Sequence, residues 1–245
     1  MTQNCVFLHG GQHGGWCWQR LLGPLVQEMG GDSRFLCLDI PGCGAKRTRA
    51  VDGLTTEAVV EELLADIAAA GAGPWTLIGH SAAGLLLPRM VVRRPELFAR
   101  VIFLATCVPA EGETVFDAFG PGRRGEDPNR MGWPFDLAAS TDEERFQVMF
   151  APDMDAATYG WVVRECAQDI WPPAVMGAAS RLDGFPGLRP TSFIVTARDP
   201  ILPAAWQHRF AARAGATDVV EIDTPHEPFL THPDLLARCL AARVA

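Results

Sequence analysis

The chain has 245 residues, of which 48% are hydrophobic and 20% charged, and its formal net charge is −8. That length suits one α/β domain with an inserted subdomain and a sizeable buried core. The acidic balance excludes a nucleic-acid-binding footprint, and no stretch supplies the ~18 uncharged apolar residues of a membrane span.

The first segment, MTQNCVFLHGG, runs directly into a hydrophobic strand over 4–8 and lacks the basic, apolar and small-residue regions of a secretory signal. Apolar residues at helical spacing (Trp18, Leu21, Leu22, Leu25, Val26, Met29) predict a helix over 16–29. A second strand over 35–40 closes at Pro41-Gly42. Thr55 or Thr56 caps a helix whose inner face carries Leu63, Leu64 and Ile67. A third strand over 75–79, a helix over 85–92 and a fourth strand over 101–104 follow. This rhythm of apolar strands and helices predicts a parallel sheet covered on both faces.

The rhythm breaks after Cys107. Turn-forming PGRRGEDP, GWPF, WPP and GFPG separate short amphipathic stretches over 143–150 and 158–167. Residues 111–186 therefore read as an inserted helical cap, and 1–110 with 187–245 as the core. In the core, strands over 191–196 and 218–222 alternate with helices over 206–214 and 233–243. Arg123 and Arg124 read as part of a solvated loop. The seven cysteines are scattered, odd in number and never spaced C-x-x-C, so they are expected to be reduced core thiols of a cytoplasmic protein, with no metal site.

The chemistry-bearing stretch is LIGHSAAGL. Ser81 stands between a strand and a helix, at the strand's C-terminal end, where open parallel sheets bind ligands. Gly79, Ala82, Ala83 and Gly84 are small enough for a nucleophile elbow, although the usual G-x-S-x-G pattern has Ala83 in its fifth place. A serine nucleophile needs a base and an orienting carboxylate. Asp199 follows the strand over 191–196, and His226 follows the strand over 218–222. The chain order Ser, Asp, His is the one an α/β hydrolase requires. Two N–H donors are needed for an oxyanion, and Ala82 and Gly11 are the expected pair.

The combination of FLHGGQHGGWCWQRL, LDIPGCG, LIGHSAAGL, TARDPILP and HEPFLTHP resembles the α/β-hydrolase superfamily, in particular the branch of plant methylesterases and hydroxynitrile lyases. The resemblance covers about 1–107 and 188–245 and is weak across the cap. It implies an α/β-hydrolase fold with a mostly parallel sheet of about six strands, helices on both faces and an inserted helical cap. It also implies Ser81 as nucleophile, His226 as base and then acid, Asp199 as orienter, and Gly11 with Ala82 as oxyanion hole. Lyases of the branch carry a hydroxyl residue after the loop histidine and a lysine after the catalytic histidine. Gly10 and Glu227 stand there instead, which favours an esterase.

Among the remaining histidines, His80 reads as a packing residue beside the nucleophile and His9 as a holder of the oxyanion loop. His232 is the rival to His226, and Asp183, Asp223 and Asp39 are the rivals to Asp199. The cap is rich in large apolar groups, and the expected pocket residues are His13, Trp133, Phe150 and Trp161. The expected activity is hydrolysis of a carboxylic ester, such as a methyl ester or lactone, of a small apolar substrate. No cofactor, metal, nucleic acid or membrane is expected to take part, and a homodimer is the one assembly left open. A non-hydrolytic reaction of the same triad (elimination, C–C cleavage or cyclisation of a natural product) is the alternative. A small-molecule receptor on the hydrolase scaffold is the third reading.

Overall fold

The computed structural model describes residues 3–71 and 73–244. Met1, Thr2, Ala72 and Ala245, two of which bound the expected core, lie outside the described residues. Strands β1 (Asn4–Leu8), β2 (Arg34–Leu38), β3 (Trp75–His80), β4 (Phe98–Leu104), β5 (Thr191–Thr196) and β6 (Asp218–Ile222) pair in parallel in the order β2-β1-β3-β4-β5-β6. Every residue of β3 and β5 is buried, which is why WTLIGH and TSFIVT carry no alternating polar positions.

The two faces are covered by different helices. Along β1, Val6 and Leu8 enter one core, and Cys5 and Phe7 enter the other, as the two-residue period of a strand dictates. On the first face lie α2 (Thr56–Ala70), α3 (Leu87–Arg93) and α8 (Ala204–Arg213), through Leu63, Ile67, Met90 and Phe210. On the second lie α1 (Gln19–Met29) and α10 (Pro233–Val244), through Leu21, Leu25, Leu236 and Leu240. Strand order reverses beside β1, because β2 lies to one side of it and β3 to the other. The loops leaving β1 and β3 therefore part at a switch point, the place where open α/β sheets form ligand crevices.

Although β4 and β5 are neighbours in the sheet, residues 105–190 lie between them in sequence. That stretch holds α4 (Val115–Phe119), α5 (Asp142–Phe150), α6 (Ala156–Cys166) and α7 (Pro173–Met176), and none of it joins the sheet. Thr114 with Asp117 and Thr141 with Glu144 form capping boxes at the starts of α4 and α5. A further short helix, α9 (Pro228–Thr231), follows the loop after β6.

Several sequence expectations are adjusted, among them β2, which ends at Leu38 rather than at residue 40, and β4, which begins at Phe98 rather than at residue 101. The helix expected over 16–29 opens as a 3₁₀ turn at Gly15–Trp18, and α1 begins only at Gln19. The helix expected over 85–92 starts at Leu87, after a 3₁₀ turn over Ser81–Leu85. Helices α4, α7 and α9 are too short to display a hydrophobic period and were not expected.

Candidate active site

Ser81 follows the last residue of β3 with φ of +53°, a left-handed conformation that costs a non-glycine residue energy and needs surrounding structure to hold it. The turn is clamped by the Cys107 N–H, which donates to the Ser81 carbonyl at 3.1 Å. Two glycines make room for it. A Cβ on Gly79 would lie 2.6 Å from a Leu87 methyl, and one on Gly84 would lie 2.2 Å from the Cys107 carbonyl oxygen. Ala83 is fully buried without such a conflict. The close backbone approach thus falls at Gly84, one residue later than the usual pattern places its glycine.

Above this turn, His226 Nε2 lies 3.0 Å from Ser81 Oγ, and His226 Nδ1 lies 2.6 Å from Asp199 Oδ2. With the Nδ1 proton directed at the carboxylate, Nε2 is left to accept from the serine hydroxyl. Asp199 is itself fixed by four donors. The N–H groups of Ile201 and Leu202 reach Oδ1 at 2.8 and 2.9 Å, and the Thr196 hydroxyl and Gln207 amide reach Oδ2 at 2.9 and 3.2 Å. Thr196, at the end of β5, and Gln207, on α8, were missed in the sequence, where nothing local marks a residue that supports a carboxylate. Arg124 is exposed, as expected of a solvated loop, and also makes a contact that the sequence did not reveal. Its guanidinium donates to the carbonyls of Pro200 and Ile201 at 2.7 and 3.1 Å, tying the inserted segment to the Asp199 loop.

The loop after β1 faces the same serine. His9, fully buried, donates from Nδ1 to the Gly10 carbonyl at 2.9 Å, and its Nε2 accepts from the Ile40 N–H at 3.1 Å. Burial lowers His9 to about 4, so it stays neutral and fills both roles. In a trans peptide the C=O and N–H point opposite ways, so turning the Gly10 carbonyl toward His9 turns the Gly11 N–H away from it. The Gly11 and Ala82 N–H groups donate to no acceptor among the described residues, and a Cβ on Gly11 would stand 4.0 Å from that of Ala82. Gly10 has no alternative: its Cβ would lie 2.9 Å from Ser81 Cβ and 3.0 Å from His80 Nδ1.

A cavity of about 490 Å³ opens onto Ser81, Ala82 and Gly11. Its wall is largely apolar, with Phe116, Phe119, Met149, Trp171 and Met176 beside the expected Trp133 and Phe150. His13 and Trp161, expected in the pocket, do not line it. His13 is buried behind the loop, stacked on Trp16 at 5.2 Å, and Trp161 packs edge-on against Trp16 at 5.1 Å beneath Arg20. One charged residue of the wall went unnoticed in the sequence, Asp169. Its carboxylate is taken up by Trp16 Nε1, the Gly44 N–H and Arg47 Nε at 2.7, 2.9 and 2.6 Å.

The rival residues stand elsewhere. His232 lies 3.6 Å from Asp153, and Asp223 pairs with Arg198 at 2.8 Å. Asp39 accepts from the N–H groups of Gly15 and Ala45 at 2.6 and 3.0 Å, a structural use. Asp183 lines a charged surface groove with Glu57, Arg89 and Arg93.

A six-stranded parallel sheet, a strained serine at the end of β3 and a histidine and carboxylate from the next strand ends define the class of the α/β hydrolases. The alpha/beta hydrolase family model matches residues 5–239, and the chain belongs to that family. It is 38% identical over 109 residues to a rice protein named probable esterase PIR7A (Oryza sativa subsp. indica), a match covering 44% of this chain and 40% of the rice protein. It spans less than half the length of that relative. It is 25% identical over 259 residues to norfluorocurarine synthase 1 of Strychnos nux-vomica, covering 96% of this chain and 92% of that one. Among solved structures, a pyrethroid hydrolase superposes with a TM-score of 0.77 at 23% identity, covering 100% of this chain and 98% of the other.

Proposed function

We propose that this chain hydrolyses carboxylic esters of small apolar substrates through an acyl-enzyme formed on Ser81. The observation that carries the reading is the hydrogen-bonded relay of Ser81, His226 and Asp199 opening onto a largely apolar cavity. His226 Nε2 takes the Ser81 proton as Oγ attacks the ester carbonyl, and the oxyanion settles between the Gly11 and Ala82 N–H groups. The tetrahedral adduct collapses, and His226 returns its proton to the departing alcohol. A water deprotonated by His226 then attacks the acyl-enzyme and releases the acid and free Ser81. Asp199 keeps the imidazole in the tautomer this sequence needs and stabilises its cation.

The inserted segment acts as a cap in this reading, supplying the apolar roof that selects the acyl or alcohol group. The relatives named esterase and methylesterase support an ester as the bond cleaved. The test is turnover of 4-nitrophenyl acetate and butyrate by the wild-type chain and by Ser81→Ala, with circular dichroism confirming the fold. Turnover retained in Ser81→Ala overturns the mechanism.

The likeness to a protein named a synthase supports a second reading, a non-hydrolytic reaction of the same site on a natural-product-like substrate. Mass spectrometry with the true substrate separates the two, since only the hydrolase gains the mass of an acyl group on Ser81.

A further inference from the structure

Behind the Gly11 turn lies a charged pair that the proposed reaction does not use. His13 Nε2 stands 2.8 Å from Glu227 Oε1, with both side chains about 2% exposed. His13 Nδ1 is 2.8 Å from the Gly11 carbonyl oxygen. A carbonyl only accepts, so Nδ1 carries a proton, and a carboxylate opposite Nε2 calls for a second one. Trp16 stacks on the ring at 5.2 Å and Phe150 meets it edge-on at 5.4 Å, and neither takes up either proton. The Cys166 sulfur from α6 lies 3.9 Å from Nε2. Burial works against the cation, but the Cys166 sulfur and the Glu227 carboxylate outweigh it and hold His13 well above its usual value.

We propose that His13 and Glu227 are positioning residues, a buried imidazolium–carboxylate clasp that fixes the Gly11 turn against the His226 turn. The inference rests on the ester-hydrolase reading above. The placement of the two charges follows from the chain. The cation is bonded to the loop that offers Gly11, and the carboxylate belongs to the residue that follows His226. In the transition state negative charge grows beside Gly11 and positive charge grows on His226. The fixed pair presents the opposite sign at each end, and such preorganised charge lowers the cost of separating the two. The clasp also steadies Gln12, which lies between its attachment points with φ of +62°, a strained conformation for a non-glycine residue.

A buried pair adds little net stability over apolar residues of the same volume, whereas removing one partner leaves an uncompensated charge. That asymmetry separates positioning from mere packing. The test uses the full chain, 4-nitrophenyl butyrate and a fluorophosphonate probe that labels activated serines. Glu227→Gln is expected to lower kcat and the labelling rate by roughly 10- to 100-fold, with KM changing less than about threefold. The double variant His13→Phe with Glu227→Met is expected to regain thermal stability relative to Glu227→Gln while kcat stays low. A folded double variant with wild-type kcat and labelling rate overturns the inference. So does Glu227→Gln with unchanged kcat, which decides the matter even where the double variant does not fold. Wild-type protein that takes no label at all overturns the serine-hydrolase reading instead, and that failure is visible before any variant is made.

Discussion

His80 Nε2 lies 2.9 Å from the carbonyl oxygen of His226, so the residue before the nucleophile holds the backbone of the base. Burial first, then the neighbouring imidazoles of His226 and His13, push His80 well below its usual value, and its ring is neutral with Nε2–H as donor. Replacing it by Phe keeps the volume and orphans a buried carbonyl, which costs about 1–3 kcal/mol. His80→Phe is expected to lower Tm by about 2–4 °C for each of those kcal/mol, as read by thermal denaturation. It should lower kcat in the same samples, because the imidazole that faces Ser81 is carried by the loosened backbone.

Two buried neutral histidines set the acid limit of the fold. His9 falls to about 4 and His80 moves in the same direction, while in the unfolded chain both titrate near ~6.5. Below that pH the unfolded state binds protons that the folded state refuses, so the stability present above ~6.5 is lost as pH falls. Tm is expected to decline steadily from pH 6.5 to 4. In His9→Asn the decline should be shallower, and an equal slope in wild type and variant would contradict the assignment.

His13 gives the opposite sign. Its folded value is raised, so its contribution is complete below ~6.5 and fades as pH rises through the raised value. The stability of wild type relative to the variant lacking both His13 and Glu227 charges should therefore fall on the alkaline side, in denaturant titrations run across pH.

The elbow offers a paired test. Gly84→Ala drives a methyl into the Cys107 carbonyl, a backbone atom that cannot swing aside, and is expected to cost about 1–3 kcal/mol or more. Ala83→Gly, which restores the common G-x-S-x-G spelling, should leave kcat unchanged and cost about 0.5–1 kcal/mol through added backbone freedom. A gain in kcat from Ala83→Gly would show that the constraint had been placed one residue too late.

Asp199→Asn keeps the volume and removes the charge. Its amide is expected to favour the wrong histidine tautomer and to lower kcat by about 10⁴-fold, with the fold retained, by analogy of role with other serine triads. A stopped assay with a sensitive fluorogenic ester measures the residual rate.

The sequence revealed most of what depends on local pattern. The strands over 191–196 and 218–222 stand with the expected bounds, because fully buried or edge strands flanked by turns leave a strong signal. Ser81, Asp199 and His226 could be picked out because each follows a strand, and the parallel sheet gathers strand ends on one rim. What could not be read was long-range and side-chain in nature. His13 and Glu227 are separated by most of the chain, and neither position announces that it is buried. Trp161 faces Trp16 rather than the cavity because of the turn of α6, which a helical period alone does not orient. Arg124 reaches the Asp199 loop from a segment whose path no periodicity dictates.

The room denied to position 10 has a consequence for how this scaffold can change trade. The hydroxynitrile lyases that the opening motif resembles carry a hydroxyl residue there and a lysine after the catalytic histidine. Here a threonine at position 10 would collide with Ser81 and His80. That substitution is not a viable first step. A laboratory lineage toward that chemistry would have to reshape the serine turn before position 10 could take a side chain, so the order of mutations, and not only their identity, decides whether the path exists.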